Sequence, residues 1–212
     1  MRGQEFLRLL HGTFFTYSGL HPRGYTAGVT LYPVFLDLAG ERVLVVGGGA
    51  VGLRRARGLA EAGARVTVVA PAVLPEFEDV NVAVIRRGFE SADLRDMRLA
   101  FACTDDEEVN DAVTREAKAA GVWIASASRP EAGNLRLGAS LERGGTQVAV
   151  STGADLPFLS QALRDKLAAA LPGELPVEAW AARRAAALDL PRGQRELVLS
   201  TLKAEIRKAV GV

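Results

Sequence analysis

The segment Arg42 to Pro71, RVLVVGGGAVGLRRARGLAEAGARVTVVAP, constrains this chain more than any other. Val43-Leu44-Val45-Val46 is apolar without alternation, as a parallel strand covered on both faces requires. Three glycines follow at the spacing G-x-G-x-x-G: Gly47, Gly49 and Gly52. The first permits a tight turn, the second lets backbone approach a pyrophosphate, and the third lets a helix pack close to the strand. The helix then opens with free N–H groups at the turn, a ready site for an anion. Leu53, Ala56, Leu59, Ala60 and Gly63 share one face; Arg54, Arg55, Arg57 and Glu61 point elsewhere. Gly63 closes the helix, and Arg65 to Val69 is the second strand. A strand–turn–helix–strand unit of this kind is a dinucleotide-binding fold. One piece is missing: the end of the second strand is Ala70-Pro71, with no Asp or Glu for the ribose hydroxyls and no Arg for a 2′-phosphate. The adenosine end must be held by backbone around Ala70, Pro71 and Ala72. The plainer alternative is that the glycines serve helix–strand packing only.

Further strands and helices alternate downstream. Val80 to Arg86 reads as a third strand, Ser91 to Met97 as a short helix and Leu99 to Cys103 as a fourth strand. The helix Glu107 to Ala120 follows Thr104-Asp105-Asp106 and stops at Gly121; Val122 to Ser126 is a fifth strand. This is an α/β chain with an open parallel sheet, whose ligands bind at the carboxyl ends of the strands. After Pro130 the pattern changes. Leu135 to Leu141 and Gln147 to Ser151 are expected as a hairpin around Arg143-Gly144-Gly145. Asp155 can cap the next helix, whose apolar stripe is Leu159, Leu163, Leu167 and Ala170. Two more helices fit Val177 to Leu188 and Arg192 to Val210. A two-stranded hairpin is marginal alone, and a second copy of the chain is the simplest partner.

Bulk properties narrow the partners. A formal charge of +1 gives no field for nucleic acid, and no apolar run is long enough to span a membrane. The single cysteine, Cys103, excludes an internal disulfide or thiolate metal site and reads as a buried hydrophobe. The N-terminal apolar residues are broken by His11, Gly12 and Thr13, unlike a signal peptide. The cytoplasm is the expected location. Residues 1–30 do not join the pattern; they are expected to be an extension of doubtful order, or a start-site artefact with translation beginning near Val29.

Five segments together resemble the precorrin-2 dehydrogenases, a family that includes bifunctional dehydrogenase/sirohydrochlorin ferrochelatases and the N-terminal part of bacterial siroheme synthases. They are Tyr32-Pro-Val-Phe-Leu-Asp-Leu, Val-Leu-Val-Val-Gly-Gly-Gly-Ala-Val, Ala-Arg-Val-Thr-Val-Val-Ala-Pro, Ala102-Cys-Thr-Asp-Asp-Glu-Glu-Val-Asn110 and Val148-Ala-Val-Ser-Thr-Gly153. The resemblance covers residues 31–212 in order. It implies a Rossmann-type NAD-binding domain at 31–135, a dimerisation hairpin and helix at 136–171, and a C-terminal helical domain at 172–212. It also implies a homodimer that oxidises precorrin-2 to sirohydrochlorin by passing a hydride to NAD, and in some members inserts ferrous iron. Ala50, Val51, Pro71 and Ala72 match positions that touch NAD; Thr104 and Asp105 match the loop beside nicotinamide.

A flat tetrapyrrole bearing eight carboxylates needs Arg or Lys donors. Arg129, Arg136, Arg143, Arg164 and Lys166 fall near the expected cleft or hairpin, although each could equally be a solvated charge. The loop Ser151-Thr152-Gly153 offers donors for one carboxylate. One departure matters. The family has Asn-x-x-Asp at the end of the fifth strand, the aspartate being its proposed acid/base; here the stretch is Ala125-Ser126-Ala127-Ser128. Serine is no general base near neutral pH without help, and the only histidines are His11 and His21. Asp105, Asp106 and Glu131 are the nearest carboxylates by sequence position. Capping is the ordinary role for Asp105 and Asp106, and loop exposure for Glu131. Ser128, Glu131 and Asp105 are therefore the catalytic candidates, no metal site is expected, and chelatase activity should be weak or absent. A non-catalytic relative that binds NAD or a tetrapyrrole is the alternative.

Overall fold

The computed structural model describes residues 31–152 and 156–211. Expectations that fall on residues 1–30, on Gly153 as a substrate contact and on Asp155 as a helix cap lie outside the described residues. Five strands form the expected parallel sheet: β1 Arg42–Val46, β2 Arg65–Val69, β3 Ala83–Ile85, β4 Leu99–Ala102 and β5 Trp123–Ser126. Their order is β3-β2-β1-β4-β5. Helix α1 (Ala50–Glu61) links β1 to β2, and α2 (Glu107–Ala119) links β4 to β5.

Strand β1 is central, and alternate residues feed two cores. Val43 and Val45 pack with Leu53, Ala56 and Leu59 of α1 and with Phe101. Leu44 and Val46 pack with Val113 and Ala117 of α2 and with Ile124. Both faces are covered, which is why the strand reads as an unbroken apolar run. The chain leaves β1 toward β2 on one side, and β4 lies on the other. The strand order thus reverses between β1 and β4, where open parallel sheets leave a crevice.

Three elements differ from the sequence reading by more than a residue at a boundary, and one of them, the short helix expected over Ser91 to Met97, is a 3₁₀ turn at Ser91–Leu94 that ends as Arg95 takes extended backbone. The third strand holds only Ala83–Ile85, not Val80 to Arg86. It is an edge strand, pairs only with β2, and follows a 3₁₀ turn at Pro75–Asp79 that takes up the preceding chain. The first hairpin strand, β6, spans Ala139–Arg143 rather than starting at Leu135. Asn134 and Leu135 are held instead along β5, with both amides donating to the Ile124 carbonyl at 3.1 and 3.0 Å. The Asn134 side chain also accepts from the Ile124 amide at 2.8 Å.

β6 pairs antiparallel with β7 (Thr146–Val150). The turn residues Gly144 and Gly145 both have positive φ, +54° and +72°, as a two-residue type I′ hairpin turn demands. Helix α3 (Pro157–Ala170) lies on this hairpin, where Arg143 donates to the Ala168 carbonyl at 2.6 Å. None of its residues is buried. Helices α4 (Val177–Leu188) and α5 (Arg192–Ala209) pack together, with Trp180, Ala187 and Leu202 buried. Glu205 accepts from the Trp180 indole at 3.0 Å and from Arg183 at 2.7 Å.

Candidate functional site

The glycine turn separates three tasks. Gly47 has φ +126°, and a Cβ there would meet the Cys103 carbonyl oxygen at 2.5 Å, so the turn presses against the end of β4. A Cβ on Gly52 would lie 2.1 Å from the Gly47 carbonyl, so this glycine lets α1 start directly against the turn. A Cβ on Gly49 would meet nothing within 4 Å. Gly49 is the N-cap of α1, without a side-chain capping bond, and the first turn holds no acidic residue. The leading amides of a helix lack intrahelical partners, so those beside Gly49, Ala50 and Val51 face open space with the positive end of the helix dipole behind them. This cradle fits a dinucleotide pyrophosphate.

Gly48 belongs to the same machinery, although the G-x-G-x-x-G spacing does not include it. Its missing Cβ would stand 2.0 Å from the Ala72 carbonyl oxygen. The Leu74 amide donates to the Gly48 carbonyl at 2.9 Å. The loop after β2 is therefore drawn against the turn. Ala70 is buried there, while Pro71 and Ala72 are exposed at the crevice edge. No carboxylate stands at the end of β2, as the sequence implied.

The ends of β4 and β5 are joined by Asn110, a fully buried side chain on α2. Its Oδ1 accepts from the Thr104 amide at 3.0 Å and lies 2.9 Å from Thr104 Oγ1. Its Nδ2 donates to the Thr104 carbonyl at 2.9 Å and to Ser128 Oγ at 3.2 Å. Ser128 Oγ also lies 3.4 Å from Ser126 Oγ. Asn110 closes the family-like run that begins at Ala102, but only the fold reveals what it holds.

The carboxylates separate in role. Asp106 caps α2, its Oδ1 accepting from the Glu108 and Val109 amides at 2.9 and 3.2 Å. Asp105 is not the cap, since it stands one residue before the N-cap Asp106; it is exposed in the loop after β4. Glu131 is exposed in a short 3₁₀ turn, Pro130–Ala132, after β5. Among the described residues neither Asp105 nor Glu131 hydrogen-bonds to Ser128, which receives its bond from an amide instead.

The expected cationic donors are mostly engaged. Arg129 forms an ion pair with Asp111 of α2. Arg136 donates to the Gly133 carbonyl at 3.3 Å, and Arg164 binds its neighbour Asp165 at 2.6 Å. Thr152 Oγ1 lies 3.5 Å from Ser160 Oγ of α3. Cys103 is buried, and burial pushes its thiol up to about 11, so it stays protonated at neutral pH. That agrees with a small hydrophobe rather than a nucleophile. Among the described residues no cluster of His, Cys, Asp and Glu could hold a metal ion.

Residues 34–139 match a protein-family model described as "Putative NAD(P)-binding". The chain belongs to this NAD(P)-binding family. The match spans every strand of the parallel sheet and both helices beside it, so the glycine turn sits in the fold the family shares. This NAD(P)-binding chain is also 39% identical over 142 residues to a siroheme synthase of Ectopseudomonas mendocina, an alignment covering 66% of this chain. It is 41% identical over 145 residues to one from Tolumonas auensis, covering 68% of this chain. In each case the aligned part is 31% of the relative, so the chain spans about a third of the length of these siroheme synthases. Among solved structures, "SirC, precorrin-2 dehydrogenase" superposes with a TM-score of 0.67 at 27% identity, over 80% of this chain and 88% of that one. The family resemblance carried by the motifs is borne out, and the α/β fold with hairpin and C-terminal helices is that of SirC.

Proposed function

We propose that this chain is an NAD-dependent dehydrogenase that oxidises precorrin-2 to sirohydrochlorin in siroheme biosynthesis. The observation that carries the reading is the likeness to SirC, which extends through the hairpin and the C-terminal helices as well as the nucleotide fold. Precorrin-2 plus NAD⁺ gives sirohydrochlorin, NADH and one proton. Bound NAD supplies the hydride acceptor, and the residues of the chain do the positioning. Gly47, Gly49, Ala50, Val51 and Gly52 hold the pyrophosphate; Ala70, Pro71 and Ala72 hold the adenosine by backbone; Thr104 and Asp105 flank the nicotinamide. The tetrapyrrole lies beyond β4 and β5, within reach of Ser128, Arg129, Arg136, Ser151 and Thr152.

Loss of the usual aspartate is compatible with this chemistry. The departing proton goes to solvent or to the exposed carboxylates Asp105 or Glu131, because hydride transfer depends mainly on holding C–H against nicotinamide. Metal insertion has no such latitude, since a group must accept the pyrrole protons, and a serine fixed by Asn110 cannot. Ferrous-iron insertion into sirohydrochlorin is expected to stay near the uncatalysed rate, and Ser128→Asp is expected to raise it. The protein acts as a homodimer in the cytoplasm, joined through the hairpin and α3.

The test is direct. Enzymatically made precorrin-2 and NAD are mixed with the protein, and absorbance is followed. NADH and sirohydrochlorin should appear in equal amounts; their absence would sink the reading.

A further inference from the structure

Helix α1 carries a cation that the dinucleotide cradle does not use. Arg55 is half-buried at the border of the apolar stripe, one turn before the buried Leu59. It forms no hydrogen bond and no ion pair among the described residues. The charges that act on it are Arg54, a like charge, and the nearby Cys103 thiol, which feels both arginines in turn. Burial first, and Arg54 second, work against the guanidinium, yet an arginine keeps its proton in proteins. The thiol of Cys103, pushed up to about 11, supplies no counter-charge. Other half-buried arginines have partners, as in Arg87 with Asp93 and Arg136 with the Gly133 carbonyl, whereas Arg195 of α5, like Arg55, has none among the described residues. Arg55 is therefore a cation with an open coordination shell.

Its position says what would complete that shell. Helical side chains lean toward the helix N-terminus, so Arg55 reaches back toward the Gly49 end, the ligand end of the sheet. Cys103 follows β4 and packs behind the glycine turn. Arg55 thus sits on the β4 flank of α1. The adenosine loop, Ala70 to Ala72, follows β2 on the opposite flank. A group on the β4 flank meets the nicotinamide half of the crevice and whatever reacts there.

We propose that Arg55, supported by Arg54, is an anion-binding residue that takes a carboxylate of the tetrapyrrole on the β4 side of the cofactor crevice. The inference rests on the precorrin-2 reading for the identity of the ligand. A guanidinium fork matches a carboxylate in a bidentate manner, and partial burial makes the charge-assisted bonds stronger than at the surface.

The experiment uses the full chain, with uroporphyrin I, an octacarboxylate porphyrin, as probe and NAD as control. Dissociation constants for both are measured by fluorescence for the wild type, Arg55→Gln and Arg55→Lys. Arg55→Gln is expected to weaken porphyrin binding by about tenfold. Arg55→Lys should weaken it by a smaller factor, and both variants should keep NAD affinity within about twofold. Unchanged porphyrin affinity overturns the inference. A loss confined to NAD overturns it as well, and assigns the guanidinium to a cofactor phosphate. If Arg55→Gln does not fold, Arg55→Lys carries the same comparison, and an unaltered porphyrin affinity in it overturns the inference. A wild type that oxidises no precorrin-2 but binds porphyrin through Arg55 keeps the inference and removes the functional reading. Normal turnover with no effect at Arg55 does the reverse.

Discussion

Gly48 and Gly49 are adjacent, yet their environments are opposite. A methyl group on Gly48 collides with the Ala72 backbone at 2.0 Å, whereas one on Gly49 meets nothing within 4 Å. Gly48→Ala should therefore destabilise the fold by about 1–3 kcal/mol, because backbone must move. Gly49→Ala should leave the melting temperature nearly unchanged and weaken NAD binding by about tenfold or more, since it fills the pyrophosphate cradle. Thermal unfolding and NAD titration on the two variants separate these effects; equal loss of stability would refute the assignment of Gly49 to the ligand. Cys103 gives a second residue-scale expectation. Its thiol is raised by burial from an ordinary 9.0 to about 11. The unfolded chain loses this proton first, so the contribution is full below about pH 9 and is lost as pH rises toward 11. Urea unfolding of the wild type and Cys103→Ala at pH 8 and pH 10.5 should show the steeper alkaline loss in the wild type. The site was partly legible at this scale. The motif spacing pointed to Gly47, Gly49 and Gly52, of which Gly52 answers a demand five residues away at the Gly47 carbonyl, Gly47 presses on Cys103 and Gly49 stays open for a ligand. It missed Gly48, whose constraint comes from Ala72.

Elements were the most legible level. β1, β2, α1 and α2 follow from apolar runs, helical spacing and glycine stops, all of which are local. At α1, Gly63 has φ +81° and its amide bonds the Ala60 carbonyl at 2.9 Å, a helix stop that needs no long-range partner. Sequence and structure part where an outside strand decides. Leu135 reads as part of the hairpin, but β5 captures it; β3 is shorter than its apolar alternation suggests, because it is an edge strand preceded by a 3₁₀ turn. Two glycines show how element context reverses one substitution. Gly145 has φ +72° with its nearest side-chain neighbour, Val177, at an ordinary 3.5 Å, so Gly145→Ala meets backbone strain alone and should cost about 1 kcal/mol. Gly58 lies inside α1 with open space where a Cβ would stand, so Gly58→Ala should stabilise by about 0.5–1 kcal/mol. Denaturant midpoints for the two variants should move in opposite directions.

At the scale of the whole molecule, α3 leaves an apolar face uncovered among the described residues. The stripe Leu159, Leu163 and Leu167 is 40–45% exposed, and Phe158 is 82% exposed. Among the described residues the hairpin beneath it is a sheet of two strands. An apolar stripe and open strand edges of this kind are stabilised by burial against another surface. In the homodimer proposed above that surface is the second copy. Leu163→Glu with Leu167→Glu should then convert a dimer into a monomer, read by sedimentation equilibrium, while residues of the parallel sheet keep their hydrogen-exchange protection. A wild type that is monomeric at micromolar concentration would count against this.

What the sequence determined by itself is the set of structures whose causes are local: the buried strands, the glycine turn, the helix starts and stops, and through their order the α/β class. Pairings across the chain were decided by the tertiary structure. Asn110 reaches Ser128 across 18 residues because α2 returns the chain from β4 to β5. Gly48 meets Ala72 because β1 and β2 are neighbours in the sheet. In sequence Arg55 is one polar residue among several on its helix; packing sets it half-buried near Cys103, with no ion-pair partner among the described residues. Local periodicity carries no information about such distances; they follow from which strands lie side by side.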